Sequence, residues 1–238
     1  MSFAVHGFVV TYERDINIGY KVQPDKPLQR DPAAVATRSS AAILTELAYV
    51  TLPVLPNSSG WLHFTATLIV FHLVWDAIFF VAHGTMHRVP KLYKFFHKTH
   101  HTVKDPNCFV AYFVTYQSHF LLEQAIVIGC AMTFVPRDVL LFTLYTGTFG
   151  TFLQHAGFEL GHIKVPLTPI TLDHVLSALS WYAPLFGSMS TTHHDWHHEK
   201  FFSNYALSFT YLDRLCGSLF EGRSKAASGM SKPTERSM

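Results

Sequence analysis

Charge is scarce in this chain. Asp, Glu, Lys and Arg together make up 14% of its 238 residues, against 49% hydrophobic residues. Soluble domains average about a quarter charged residues, so an ordinary solvated surface is excluded. The net charge is only +2, too small to favour nucleic acid as a partner. Cysteine is equally sparse. Cys108, Cys130 and Cys216 are scattered and odd in number, which gives no CxxC pair and no disulfide framework and fits a reducing compartment. Zinc-finger and Walker-type patterns are absent. The first residues, MSFAVHGFVVTYERD, have too short an apolar run and no basic n-region for a cleavable signal peptide. Membrane insertion would therefore have to come from internal segments.

Such segments are present. Residues 64–81, FTATLIVFHLVWDAIFFV, carry one formal charge and approach the roughly 20 apolar residues that a span needs. Residues 41–55 are a shorter candidate, 108–135 are long enough to cross with a bend, and 138–158 would return. The intervening turns, PNSSG at 56–60 and PRD at 136–138, hold ordinary helix stops. The predicted fold is all-α: an integral membrane bundle of two helical hairpins, four helices in all, with a histidine-rich helical cap. Residues 1–40 read as a polar N-terminal extension, 41–220 as the membrane domain, and 221–238 as a polar, disordered tail.

Histidine is what the chain has in excess. THHDWHHEKF at 192–201 contains His194, His197 and His198 at i, i+3, i+4, one face of a helix. The spacing recurs at His97, His100 and His101, and a looser pair stands at His83 and His87. With 16 histidines in 238 residues, one HxxHH is expected by chance about 0.07 times, so two are hard to ascribe to accident. Neutral imidazole is the commonest metal ligand, and three clusters point to one metal site with more than one ion.

Parity brings the clusters together. The first hairpin ends at His83 and His87. The basic, amphipathic stretch 88–107 should lie along the surface. The second hairpin returns near His155, ahead of the last cluster. Arg88, Lys91, Lys94, Lys98, Lys104, Lys200, Arg214 and Arg223 lie on this side and Arg137 alone on the other, so the positive-inside rule places the histidines in the cytosol. The sequon Asn57-Ser58-Ser59 is expected to be unused. His72, Asp76, His83 and His87 fall within about 60° on one helical stripe. A carboxylate there either accepts a hydrogen bond from an imidazole, His72 or one on a neighbouring helix, and fixes its tautomer, or serves a structural pairing within the bundle.

Beyond the histidines, DAIFFVAHGTMHRVPKLYKFFHKTHH, HAGFEL at 155–160, and HHDWHHEKFFSNYA followed by LDRLCGS at 212–218 resemble the motif blocks of the fatty acid hydroxylase superfamily, which includes methylsterol oxidases, sterol desaturases and lipid hydroxylases. Three positions depart from the usual pattern: Ala156 for Ser, Leu212 for Trp, and Gly84 for Arg. These bear on the substrate subgroup and remove no ligand. The resemblance implies a dinuclear non-haem centre of two iron ions, with zinc possible in isolated protein. Its ligands would be His83, His87, His97, His100, His101, His194, His197 and His198, with His155 as a ninth. His72, Asp76, His162, His174, His193 and Asn204 stand as supporting or additional residues, and Asp213 as a brace beside Asn204. No catalytic side chain is expected beyond the ligands. The resemblance further implies an O2-dependent lipid monooxygenase of the endoplasmic reticulum. It would hydroxylate or desaturate a sterol or fatty acyl chain with electrons from cytochrome b5 and its NAD(P)H reductase. The aromatic stretch 179–189 would line the substrate mouth or form an interfacial belt. Two readings of other kinds are a metal transporter, against which the one-sided clustering of histidines counts, and a catalytically silent metal-binding scaffold, against which the intact histidine set counts.

Overall fold

The computed structural model describes residues 55–104, 106, 111, 125–158 and 181–222. Among them there are helices and two isolated β-bridges but no strands. Helix α1, Trp61–Arg88, is 28 residues long, about 42 Å at 1.5 Å per residue. It stops because Val89 precedes Pro90, and a residue before proline is driven out of the helical region; Val89 is extended. A single turn, Pro90–Leu92, follows with proline in the first position, where its missing N–H costs nothing. The chain then loosens and tightens in quick succession, through a π turn at Tyr93–His97 and a 3-10 turn at His100–Thr102.

Helix α2, Ala125–Thr133, and helix α3, Arg137–Gln154, are separated by a short turn through Pro136. Asp138 in the first turn of α3 accepts from the Ser58 amide at 3.0 Å and its hydroxyl at 2.9 Å. Leu55 bridges to Pro136. The two turns flagged in the sequence thus meet at one end of the molecule. From there α1 and α3 both run to the histidine-bearing end. A 3-10 turn at Ala183–Leu185, helix α4, Thr191–Lys200, and the short helix α5, Tyr211–Leu215, complete the described elements.

The main core joins Leu68 and Phe71 of α1, Cys130 and Ala131 of α2, Val139 and Leu140 of α3, and Tyr182, Ala183 and Phe209 from the later loops. Of the described helices only α1 is long and apolar enough to cross a membrane. Helix α3, the core of the expected return span, has the length, but four threonines dilute its apolarity. The expected span at 41–55, most of the first half of the one at 108–135, the extension 1–40 and nearly all of the tail lie outside the described residues.

Candidate metal centre

Helix α4 begins at Ser190, whose hydroxyl accepts from the His193 amide at 3.3 Å while the His193 ring meets the Ser190 amide at 3.2 Å. His193 therefore belongs to a capping box, a motif that fixes a helix start. With the start set, His194, His197 and His198 all become buried. The helix ends at Phe201, which adopts the left-handed conformation with φ 64°.

The nine histidines form two adjoining groups. His83, His87, His97, His101 and His197 make one; His100, His155, His194 and His198 make the other. Within each, the ligand-capable atoms all lie within 4.8 Å of one another. Each HxxHH segment divides between the groups. The i, i+4 pair His97 and His101 enters the five-membered group and His100 the four-membered one. On α4 the pair His194 and His198 enters the four-membered group and His197 the five-membered one. Only the second segment lies on a regular α-helix; the first straddles the π and 3-10 turns, and π turns recur at functional sites.

The Nε2 atoms converge. His83 stands 2.8 Å from His97 and 3.2 Å from His87, His97 3.0 Å from His101, and His101 3.1 Å from His197. In the second group His155 stands 2.8 Å from His194 and 3.4 Å from His100, and His194 3.2 Å from His198. On the far side of four of these rings a backbone carbonyl faces Nδ1: Tyr205 for His83 at 2.7 Å, Ser203 for His197 at 2.7 Å, Val103 for His198 at 3.0 Å and Thr151 for His155 at 2.8 Å. A carbonyl only accepts, so in each of these rings Nδ1 donates and a neutral ring presents Nε2 as a lone pair.

Lone pairs gathered at such distances repel unless a cation lies among them. Nitrogens bound about 2.1 Å from one ion stand about 3.0 Å apart when they subtend a right angle, which matches the separations above. Electrostatics act in the same direction. Burial, and after it the neighbouring imidazoles, holds His97, His101, His194, His197 and His198 well below the usual histidine pKa, so at neutral pH they are uncharged and able to bind a cation. The residues present fit a pair of metal ions.

The supporting residues act mostly on the backbone. Among the described residues Asp76 meets no imidazole: its Oδ1 accepts from the amides of Leu207 at 3.1 Å and Ser208 at 2.7 Å, a pairing within the bundle. His72 lies away from both groups, its Nδ1 against the Tyr182 hydroxyl. Asn204, left-handed at φ 55°, donates to the carbonyls of His193 and Phe220 and accepts from the Phe220 amide. Asp213 accepts from the amides of Tyr205 and Ala206 and from the Ser218 hydroxyl. Asp76 and Asp213 thus hold the loop whose Tyr205 carbonyl orients His83. His162 and His174 lie outside the described residues. Sequence reasoning missed the four carbonyls, which leave no trace in side-chain identity. It also missed the rings of Tyr93, Tyr205 and Phe201, which wall the five-membered group at centroid distances of 5.6 Å from Tyr93 to His87, 5.4 Å from Tyr205 to His87 and 5.0 Å from Phe201 to His101.

Comparison with known proteins points the same way. The chain is 29% identical over 154 residues to a putative methylsterol monooxygenase of Dictyostelium discoideum, covering 64% of this chain and 50% of that protein. It is 30% identical over 166 residues to a cholesterol 25-hydroxylase-like protein of Danio rerio, covering 69% and 60%. It is 28% identical over 152 residues to cholesterol 25-hydroxylase of Homo sapiens, covering 62% and 48%. The matched region thus spans about half to three-fifths of the length of these relatives. No solved structure matches. The sequence profile described as fatty acid hydroxylase matches residues 68–218, well over half of the chain and a stretch containing all nine histidines, and on that ground the protein belongs to the fatty acid hydroxylase family.

Proposed function

We propose that this protein is a membrane-bound, O2-dependent lipid hydroxylase whose nine clustered histidines hold two iron ions. The observation that carries the reading is the convergence of Nε2 atoms into two adjoining groups whose Nδ1 atoms, in four rings, are tied to carbonyls. Iron bound there would supply the redox chemistry that activates dioxygen and oxidises an unactivated C–H bond, which a metal without a second oxidation state cannot do.

The chain's own residues do the rest. His83, His155, His197 and His198 keep their lone pairs turned inward because their other nitrogen is committed to a carbonyl. The rings of Tyr93, Tyr205 and Phe201 keep bulk water from the five-membered group, which preserves its low dielectric. Asp76 and Asp213 hold the Tyr205 carbonyl in place. The names of the relatives make a sterol the favoured substrate, with a fatty acyl chain as the other candidate. Electrons would come from cytochrome b5 and its reductase, at the cytosolic face of the endoplasmic reticulum. Residues 41–220 would constitute the membrane domain.

The test combines metal analysis of the purified protein, oxygen consumption with a reductase-coupled donor, and lipid profiling of cells with and without the gene. The expected result is about two iron ions per chain, donor-dependent oxygen uptake, and one lipid that gains oxygen or a double bond. Bound metal without oxygen uptake or any lipid change would sink the enzymatic reading.

A further inference from the structure

Two largely irregular segments, residues 181–189 with a 3-10 turn at Ala183–Leu185 and residues 205–211, run from the histidine end along α1. The Tyr182 hydroxyl meets His72 of α1, and the His72 ring lies 6.5 Å from that of Phe209. Leu207 and Ser208 meet Asp76. At 1.5 Å per residue His72 lies about 13 Å, and Asp76 about 7 Å, inside the histidine-side end of the apolar stretch 64–81. If α1 spans the bilayer, whose hydrocarbon is about 30 Å thick, the parts of residues 181–189 and 205–211 that meet His72 and Asp76 pack beside it below the headgroups.

Their chemistry suits that depth. No Asp, Glu, Lys or Arg occurs from His174 to His194 or from Phe201 to Leu212. Irregular backbone is tolerated among lipid chains only when its polar groups find partners within the protein, and here six amides do. The Met189 amide donates to Ser208 and the Thr210 amide to Gly187, at 3.0 and 2.8 Å. Leu185 and Phe186 donate to Tyr182 and Ala183. Leu207 and Ser208 donate to Asp76, and Gln154 reaches the Leu207 carbonyl at 2.8 Å. The segments approach closely because Gly187 has φ 73°, and a Cβ there would collide with the Thr210 hydroxyl. With these amides paired inside the protein, the segments turn large apolar side chains outward: Trp181 is 57% exposed and Leu185 76%. Along α1, Val70 at 50%, Ile78 at 44% and Val81 at 64% form a comparable exposed stripe.

We infer that residues 181–189 and 205–211 form a re-entrant tongue inserted into the bilayer beside α1, with Trp181 and Leu185 in contact with lipid acyl chains. The inference rests on the membrane reading proposed above. Asp76 is then an intramembrane carboxylate whose task is to satisfy the amides of the tongue.

The test uses the unmodified full chain in phosphatidylcholine vesicles. One sample contains a phospholipid with a diazirine at its acyl-chain end; another receives a membrane-impermeant diazirine from the water on both faces. Adducts are mapped by peptide mass spectrometry. The expected result is lipid-derived adducts on both Val70–Val81 and Trp181–Phe186, with loss of the aqueous labelling of both that the denatured chain shows. Lipid-derived adducts on Val70–Val81 but none on Trp181–Phe186 overturn the tongue and leave the membrane reading standing. Aqueous labelling of Trp181–Phe186 overturns the tongue likewise. The absence of lipid-derived adducts from Val70–Val81 overturns the membrane reading and the tongue with it.

Discussion

His155 uses both of its ring nitrogens: Nδ1 faces the Thr151 carbonyl at the end of α3, and Nε2 stands 2.8 Å from that of His194. Helix cap and metal ligand are therefore compatible roles of one side chain. His155→Gln can retain the cap but loses the imidazole, so metal content after mild chelation should fall while the five-histidine group keeps its ligands. Two metals retained with normal affinity would reduce His155 to a cap. His100→Ala and His197→Ala strike different groups, and each should lower oxygenation at least about 100-fold in protein that still inserts, read as turnover per inserted chain. The depressed pKa values of His97, His101, His194, His197 and His198 add a pH dependence. Below about pH 6.5 the unfolded chain takes up protons that the folded chain refuses. Stability of the metal-free protein should hold above that value and decline as pH falls through it toward the depressed folded values. Thermal unfolding of metal-free protein across this range checks it, and a midpoint that rises on acidification would contradict it.

At the scale of elements, Asp76 is the hinge between α1 and the loop 205–209. Asp76→Leu orphans the amides of Leu207 and Ser208 at about 1–3 kcal/mol each, and it should loosen His83 through the Tyr205 carbonyl. Asp76→Asn keeps one acceptor oxygen and should lose less. Denaturant titration of the two variants measures the difference, and equal stability of Asp76→Leu and the parent would remove Asp76 from this role. What the sequence made legible follows the same divide between local and distant chemistry. The spacing of His194, His197 and His198 announced a helix, and α4 is one. The apolar run 64–81 announced α1, and PNSSG at 56–60 the turn before it. The π turn at Tyr93–His97 was not legible, because HKTHH has the same periodicity as the segment on α4 and only tertiary contacts distinguish them. The partner of Asp76 was not legible either, since a backbone amide 131 residues away carries no signature. Nor could spacing show that each HxxHH would divide between two groups.

At the scale of the molecule, the surplus of Lys and Arg near the histidines predicts their side of the membrane. Cysteines placed at Lys104 and Lys200 should react with impermeant thiol reagents once the plasma membrane is opened while organelles stay sealed. Labelling that required disruption of the organelle lumen would reverse the orientation. The division of each HxxHH segment has a consequence at this scale as well. His100 and His101 are consecutive, as are His197 and His198, and in each case the two neighbours serve different groups. The two nitrogen sets are therefore spaced twice over by a single peptide link, across which consecutive Cα atoms are held about 3.8 Å apart. Packing can breathe and loops can move, but that interval is covalent. The two groups are therefore coupled through the backbone: with the His100 and His101 rings 5.3 Å apart and those of His197 and His198 5.9 Å apart, a shift of either segment moves imidazoles of both groups at once.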